Sequence, residues 1–165
     1  MKHIAHIFVA VLYCLTSTAS AAPADQAQAA YKNGDFEKSS KLASVLAEKG
    51  DAEAQALLGL QYKTGEGIEQ NDRLAVRWSR AAAEQGSPAG QLTLATLYAQ
   101  GSGVPHDMVI AYMWLELSAA QGNQEAVSAR NVARQRMAAG DVKLGEDLAR
   151  KCSAGLYRNC DKSER

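Results

Sequence analysis

Apolar and polar positions follow one another along this chain with the spacing of helices and not of strands. Ala54, Leu58 and Tyr62 stand four apart with Leu57 beside them, which lays an apolar stripe along one helical face. Gly65-Glu66-Gly67 breaks that stripe, and after Asn71 a second one runs through Leu74, Ala75, Trp78, Ala81 and Ala82 before Gly86 stops it. Asn71 stands where its side chain accepts a backbone N–H as an N-cap. The whole pattern then recurs. Tyr98, Gly101, Gly103, Val104, Ala111, Trp114 and Gly122 follow Tyr62, Gly65, Gly67, Ile68, Ala75, Trp78 and Gly86 at a constant interval of 36, and Leu94 follows Leu58 in the same register. A fixed period of this length marks stacked supersecondary units, here 51–86 and 87–122, each a pair of helices. Asp107 takes the capping place of Asn71, and Ser87-Pro88 opens the second unit with a capping serine and a proline whose missing N–H costs nothing at the first helical position.

The flanks extend the same plan with weaker periodicity. Residues 22–50 read as an N-terminal hairpin, a helix from about Asp25 and another over Phe36–Lys49, joined by the short turn Tyr31-Lys32-Asn33-Gly34-Asp35. Residues 123–155 read as capping helices, roughly Gln124–Ala138 and Asp141–Lys151, because the period fades there: Arg150 lies 36 beyond Trp114 and Ala139 lies 36 beyond Gly103. Stacked units need atypical ends, since an outermost helix otherwise exposes the face meant for a neighbour. The pattern predicts an all-α fold, an α-solenoid of antiparallel helix pairs. Tyr62, Tyr98, Trp78 and Trp114 are expected to pack between helices, because a shared register within amphipathic stripes is what such packing produces.

The first stretch differs in kind. Lys2, the apolar run Ile4–Leu15 and the small residues Ala19-Ser20-Ala21 read as a signal peptide over 1–21, cleaved after Ala21. The run is shorter than the ~20 apolar residues that span a bilayer, so no stable membrane insertion is expected after cleavage. The implied location is periplasmic or secreted. Cleavage leaves His106 as the one histidine, with Cys152 and Cys160 as the remaining cysteines. In an oxidising compartment two such cysteines are expected to form a disulfide that holds the tail 156–165 against the last helix. An intermolecular bridge, or a reactive thiol beside Lys151 or Arg158, is the alternative.

Charge and motif content narrow the chemistry. With 18 Lys+Arg against 18 Asp+Glu there is no excess of basic residues to attract a phosphate backbone, so nucleic acid is not an expected partner. Gly65-Glu66-Gly67 and Gly101-Ser102-Gly103 lack the preceding strand and third glycine of a dinucleotide cradle and read as turns. His106 alone cannot assemble a metal site. No G-x-S-x-G elbow is present and no serine is followed by lysine three positions later. No catalytic residue, metal or cofactor is therefore assigned, and the chain is read as a non-enzyme. An envelope enzyme working on cell-wall material through surface carboxylates is the alternative.

The run Ala54, Leu58, Gly59, Tyr62, Gly65, Gly67, Ile68, Asn71, Ala75, Trp78, Ala81, Ala82 and Gly86, with its counterpart 36 residues on, resembles the Sel-one-like repeat family, a relative of the tetratricopeptide repeats. Asn71 departs from the family's usual Asp, and Ala95 from its usual Gly. The resemblance implies a right-handed superhelix of helix pairs that serves as an adaptor in protein assemblies. Exported bacterial members often end in a cysteine-containing helix, to which Leu148–Cys160 is similar. By analogy with related helical repeats, a protein or peptide partner is expected on the surface lined by the first helix of each pair, with Gln55 and Gln91 facing that groove.

Overall fold

Eight α-helices organise the described residues, 23–158 and 160 of the computed structural model, and no strand occurs among them. They are α1 (Pro23–Lys32), α2 (Phe36–Glu48), α3 (Ala52–Thr64), α4 (Asp72–Glu84), α5 (Pro88–Gln100), α6 (Met108–Ala120), α7 (Gln124–Arg136) and α8 (Ala139–Ala154). The expected signal segment 1–21 lies outside the described residues. Side-chain caps start the helices where the sequence places them. Asn71 accepts from the Leu74 N–H, Ser87 from Gly90, and Asp107 from both Val109 and Ile110. Gly65 and Gly101 close α3 and α5.

Consecutive helices pack as pairs that stack, with α1 against α3 and α3 against α5 forming a front layer and α2, α4 and α6 behind it. Two cores result. The N-terminal one is built largely from alanines, Ala27, Ala43, Ala47 and Ala54, with Leu57 and Leu58. The C-terminal one carries Leu94, Leu97, Ile110, Tyr112, Met113, Trp114 and Leu117. Apolar area removed from water scales with side-chain size, so most of the burial energy sits in the second repeat and its cap.

The last pair breaks the stacking rule. α7 packs on α6 as α3 does on α2 and α5 on α4, but it does not approach α5 as α5 approaches α3, and α8 packs on α6 and not on its expected partner α7. Gly145 permits this, because a Cβ there would stand 2.8 Å from the Tyr112 ring. Two positions that the repeat made equivalent also differ in burial. Trp114 is fully buried, while Trp78 is only half-buried, with the Arg77 guanidinium 4.8 Å above its ring. Both tryptophans pack between helices as expected, Trp78 against the N-terminal core and Trp114 within the C-terminal one, but they are not equally buried.

The terminal helix carries Cys152 near its C-terminus and runs past the expected Lys151. It stops at Ala154, and Leu156 and Tyr157 both take left-handed conformations (φ 56 and 63). Such backbone costs about 1–2 kcal/mol per non-glycine residue, so something must hold it. The Cys152–Cys160 disulfide and the Tyr157 N–H bond to the Cys152 carbonyl (2.9 Å) do so. Tyr157 packs on the C-terminal core and reaches the turn at Gly86, whereas Leu156, expected to pack there too, is 71% exposed.

Candidate functional site

The front layer presents a shallow groove of about 240 Å³ across α1, α3 and α5. Its floor follows from side-chain size. Ala56 on α3 and Ala89 on α5 are too short to fill the space between neighbouring helices, and Leu57, Leu60 and Thr93 line what remains. Asp25 and Glu53 stand on its rim, each in the first turn of its helix and each exposed. An apolar floor under two carboxylates suits a segment whose apolar residues are flanked by Lys or Arg. Further along, where α7 swings away from α5, a second depression of about 470 Å³ opens over Ala95, Ala99, Met108 and Leu115, with the exposed Val132 at its edge.

Gln55 and Gln91 do not face this groove, a correction to the analogy with other helical repeats. Both are buried, and their amides join repeats. Gln55 Nε2 donates to the Ala47 carbonyl of α2 (3.1 Å), while its Oε1 accepts from Gln85 Nε2 at the end of α4 (2.7 Å). Gln91 Nε2 points to the Ala83 carbonyl (3.5 Å) and its Oε1 accepts from Gln121 (2.8 Å). A buried amide must be satisfied, and here carbonyls at helix C-termini do it. The recurrence of Gln85 as Gln121 at the same interval of 36 was the available sequence signal.

The other repeat positions are structural. Leu58, Leu94, Ala75, Ala111 and Tyr98 are buried, Tyr62 is half-buried, and Gly86 and Gly122 lie in the turns after α4 and α6. Gly67 and Gly103 press against the preceding pair of helices. The glycine loop is also tied to α1: Tyr31 donates to Glu66 (2.6 Å), and burial, then this bond and the nearby negative charge, push the Tyr31 pKa up to about 12. Tyr112, donating to Glu116 (2.9 Å), is pushed up to about 12 by burial first and then by its carboxylate partner.

The disulfide joins residues 8 apart with Cα atoms at 5.1 Å. Closing so short a loop restricts the unfolded chain by about 2–3 kcal/mol on the chain-entropy view. Reduction is therefore expected to lower the urea midpoint by the equivalent of that energy. Unchanged midpoints with and without reductant would show that the tail holds itself.

Among the described residues no group of His, Cys, Asp and Glu gathers as a metal site, and no helix is long and apolar enough to cross a membrane. What the helices do build is a tandem array, and residues 52–87 and 88–123 of it match the Sel1 repeat. The chain carries two Sel1 repeats. Each Sel1 match starts one residue after the units 51–86 and 87–122 read from glycine spacing. Among solved structures the chain is similar to c5321, a protective antigen present in uropathogenic Escherichia coli strains that displays an SLR fold, with 24% identity and a TM-score of 0.73 over 87% of this chain and 32% of that one. It is also similar to a Sel1 repeat protein from Oxalobacter formigenes, with 31% identity and a TM-score of 0.60 over 65% of this chain and 43% of that one. The chain thus spans less than half the length of either structure. No curated protein matches it. The Sel1 repeat family implies a helical-repeat module for protein interaction.

Proposed function

We propose that this Sel1 repeat chain is an exported scaffold of the cell envelope, periplasmic or secreted, that holds a peptide segment of another protein along the α1–α3–α5 groove. The observation that carries the reading is the groove itself, an apolar floor at Leu57 and Leu60 beneath the carboxylates of Asp25 and Glu53. Those carboxylates select a segment with apolar residues and flanking Lys or Arg, since opposite charge at the rim steers encounter and fixes register. Support for the envelope comes from the leader-like residues of 1–21 and from a cysteine pair suited to an oxidising compartment. A photo-crosslinker placed at Leu60 tests both parts. Adducts are expected in the envelope fraction and are expected to fall about tenfold in the Asp25→Lys, Glu53→Lys double variant, the scale of one or two lost charge contacts. Adducts that persist undiminished in the folded double variant, or protein found only in the cytoplasm, would refute it.

A further inference from the structure

Where α7 parts from α5, the depression of about 470 Å³ is lined on its α7 side by Glu125, Ser128, Ala129, Val132, Ala133 and Arg136. They fall at i, i+3, i+4, i+7, i+8 and i+11, a single stripe along the whole helix. The middle of the stripe is apolar and open, with Val132 47% exposed and Ala129 half-buried. A lone exposed valine is ordinary, but this one stands beside Ala99, Met108 and Leu115, so the apolar surface is continuous. The ends of the stripe are charged. Glu125 lies in the first turn of α7 and Arg136 in the last, and both are exposed.

The other arginines of these helices have acceptors within the chain. Around the cavity of about 610 Å³ among α6, α7 and α8, Arg130 pairs with Glu116, Arg134 with Glu146 and Arg150 with Asp147. Glu125 and Arg136 belong to no ion pair among the described residues. They stand about 16 Å apart along the helix axis, too far to reach each other. The stripe is also its own complement when reversed. About the point midway between Arg130 and Asn131, Glu125 lies opposite Arg136, Ser128 opposite Ala133 and Ala129 opposite Val132. Opposite charge thus meets opposite charge, and a small side chain meets a larger one. A two-fold interface demands this relation, since residue i of each copy contacts residue j of the other. The helix dipole alone favours an acid in the first turn and a base in the last, but it does not set Ala129 and Val132 between them on the open face.

We propose that a second copy of this chain docks on the stripe, α7 antiparallel to α7, with Val132 of each copy against the partner's Ala129 at the edge of the depression and Glu125 of each paired with the partner's Arg136. The surface lies on the α7 side of α5 and does not depend on what the α1–α3–α5 groove holds. Sedimentation equilibrium of the oxidised full chain over a concentration series tests it, and a reversible monomer–dimer equilibrium is expected. Glu125→Arg or Arg136→Glu alone sets like charges together at both ends of the interface, and each is expected to weaken dimerisation at least about tenfold. The charge-swapped chain carrying both substitutions is expected to recover the wild-type association, because residue 125 of one copy again faces an opposite charge at residue 136 of the other. A parallel pairing gives no such recovery, since it sets each residue against itself. Val132→Lys is expected to abolish dimers with the circular dichroism unchanged, because the side chain is half-open to solvent in the single chain. A chain that stays monomeric at about 1 mM would overturn the assignment and leave the face to another protein. Dimers undiminished by Arg136→Glu or Val132→Lys, or a folded charge-swapped chain no better associated than the single variants, would overturn it as well.

Discussion

Trp114→Ala is expected to destabilise the protein by about 3–5 kcal/mol, whereas Trp78→Ala costs about 1–2 kcal/mol. The two residues occupy the same place in consecutive repeats, so the difference isolates tertiary context. Trp114 is fully enclosed by the C-terminal core, and its removal leaves a cavity that the surrounding helices cannot close. Trp78 is half-open to solvent and already stacked under Arg77. A natural domain has about 5–15 kcal/mol to lose, so the first change alone approaches global unfolding at physiological temperature. Trp114→Phe is expected to be far milder, because it keeps most of the apolar volume and deletes an indole N–H that meets no acceptor. Urea midpoints of the three variants check this. Equal losses at Trp78 and Trp114 would mean that the two side chains are equally buried in solution.

Gly67→Ala and Gly103→Ala are expected to cost about 2–5 kcal/mol each, combining the left-handed backbone with overpacking against main chain. Their φ angles are 74 and 71, and a Cβ would stand 2.1 Å from the Phe36 carbonyl oxygen in one loop and 2.5 Å from that of Asp72 in the other. Phe36 and Asp72 begin the second helices of the preceding pairs, so these glycines set how closely one pair seats on the last. Gly122→Ala is the control. It shares a positive φ of 86 but meets nothing within 4 Å, so only the backbone term of about 1 kcal/mol remains. Thermal unfolding that ranks Gly103→Ala no lower than Gly122→Ala would remove the close approach from the account.

The sequence by itself determined the repeat. Helix boundaries, caps and the front-and-back pairing follow from local rules, in which apolar spacing, a capping Asn71 or Asp107 and a breaking glycine each act over a few residues. It also brought Cys152 and Cys160 together, because eight residues of chain after a helix end keep two thiols within reach. What the sequence left open involves partners distant along the chain. Gln55 and Gln91 look like surface amides until the carbonyls of Ala47 and Ala83 are set beside them by the stacking of one pair on the next. Gly67 and Gly103 look like turn residues alone until Phe36 and Asp72 arrive against them. Tertiary structure alone decided the placement of α8, because a fading period says that the repeat ends but not which helix the last one will cover. That choice rests on Gly145 fitting over Tyr112, and it opens the cavity among α6, α7 and α8.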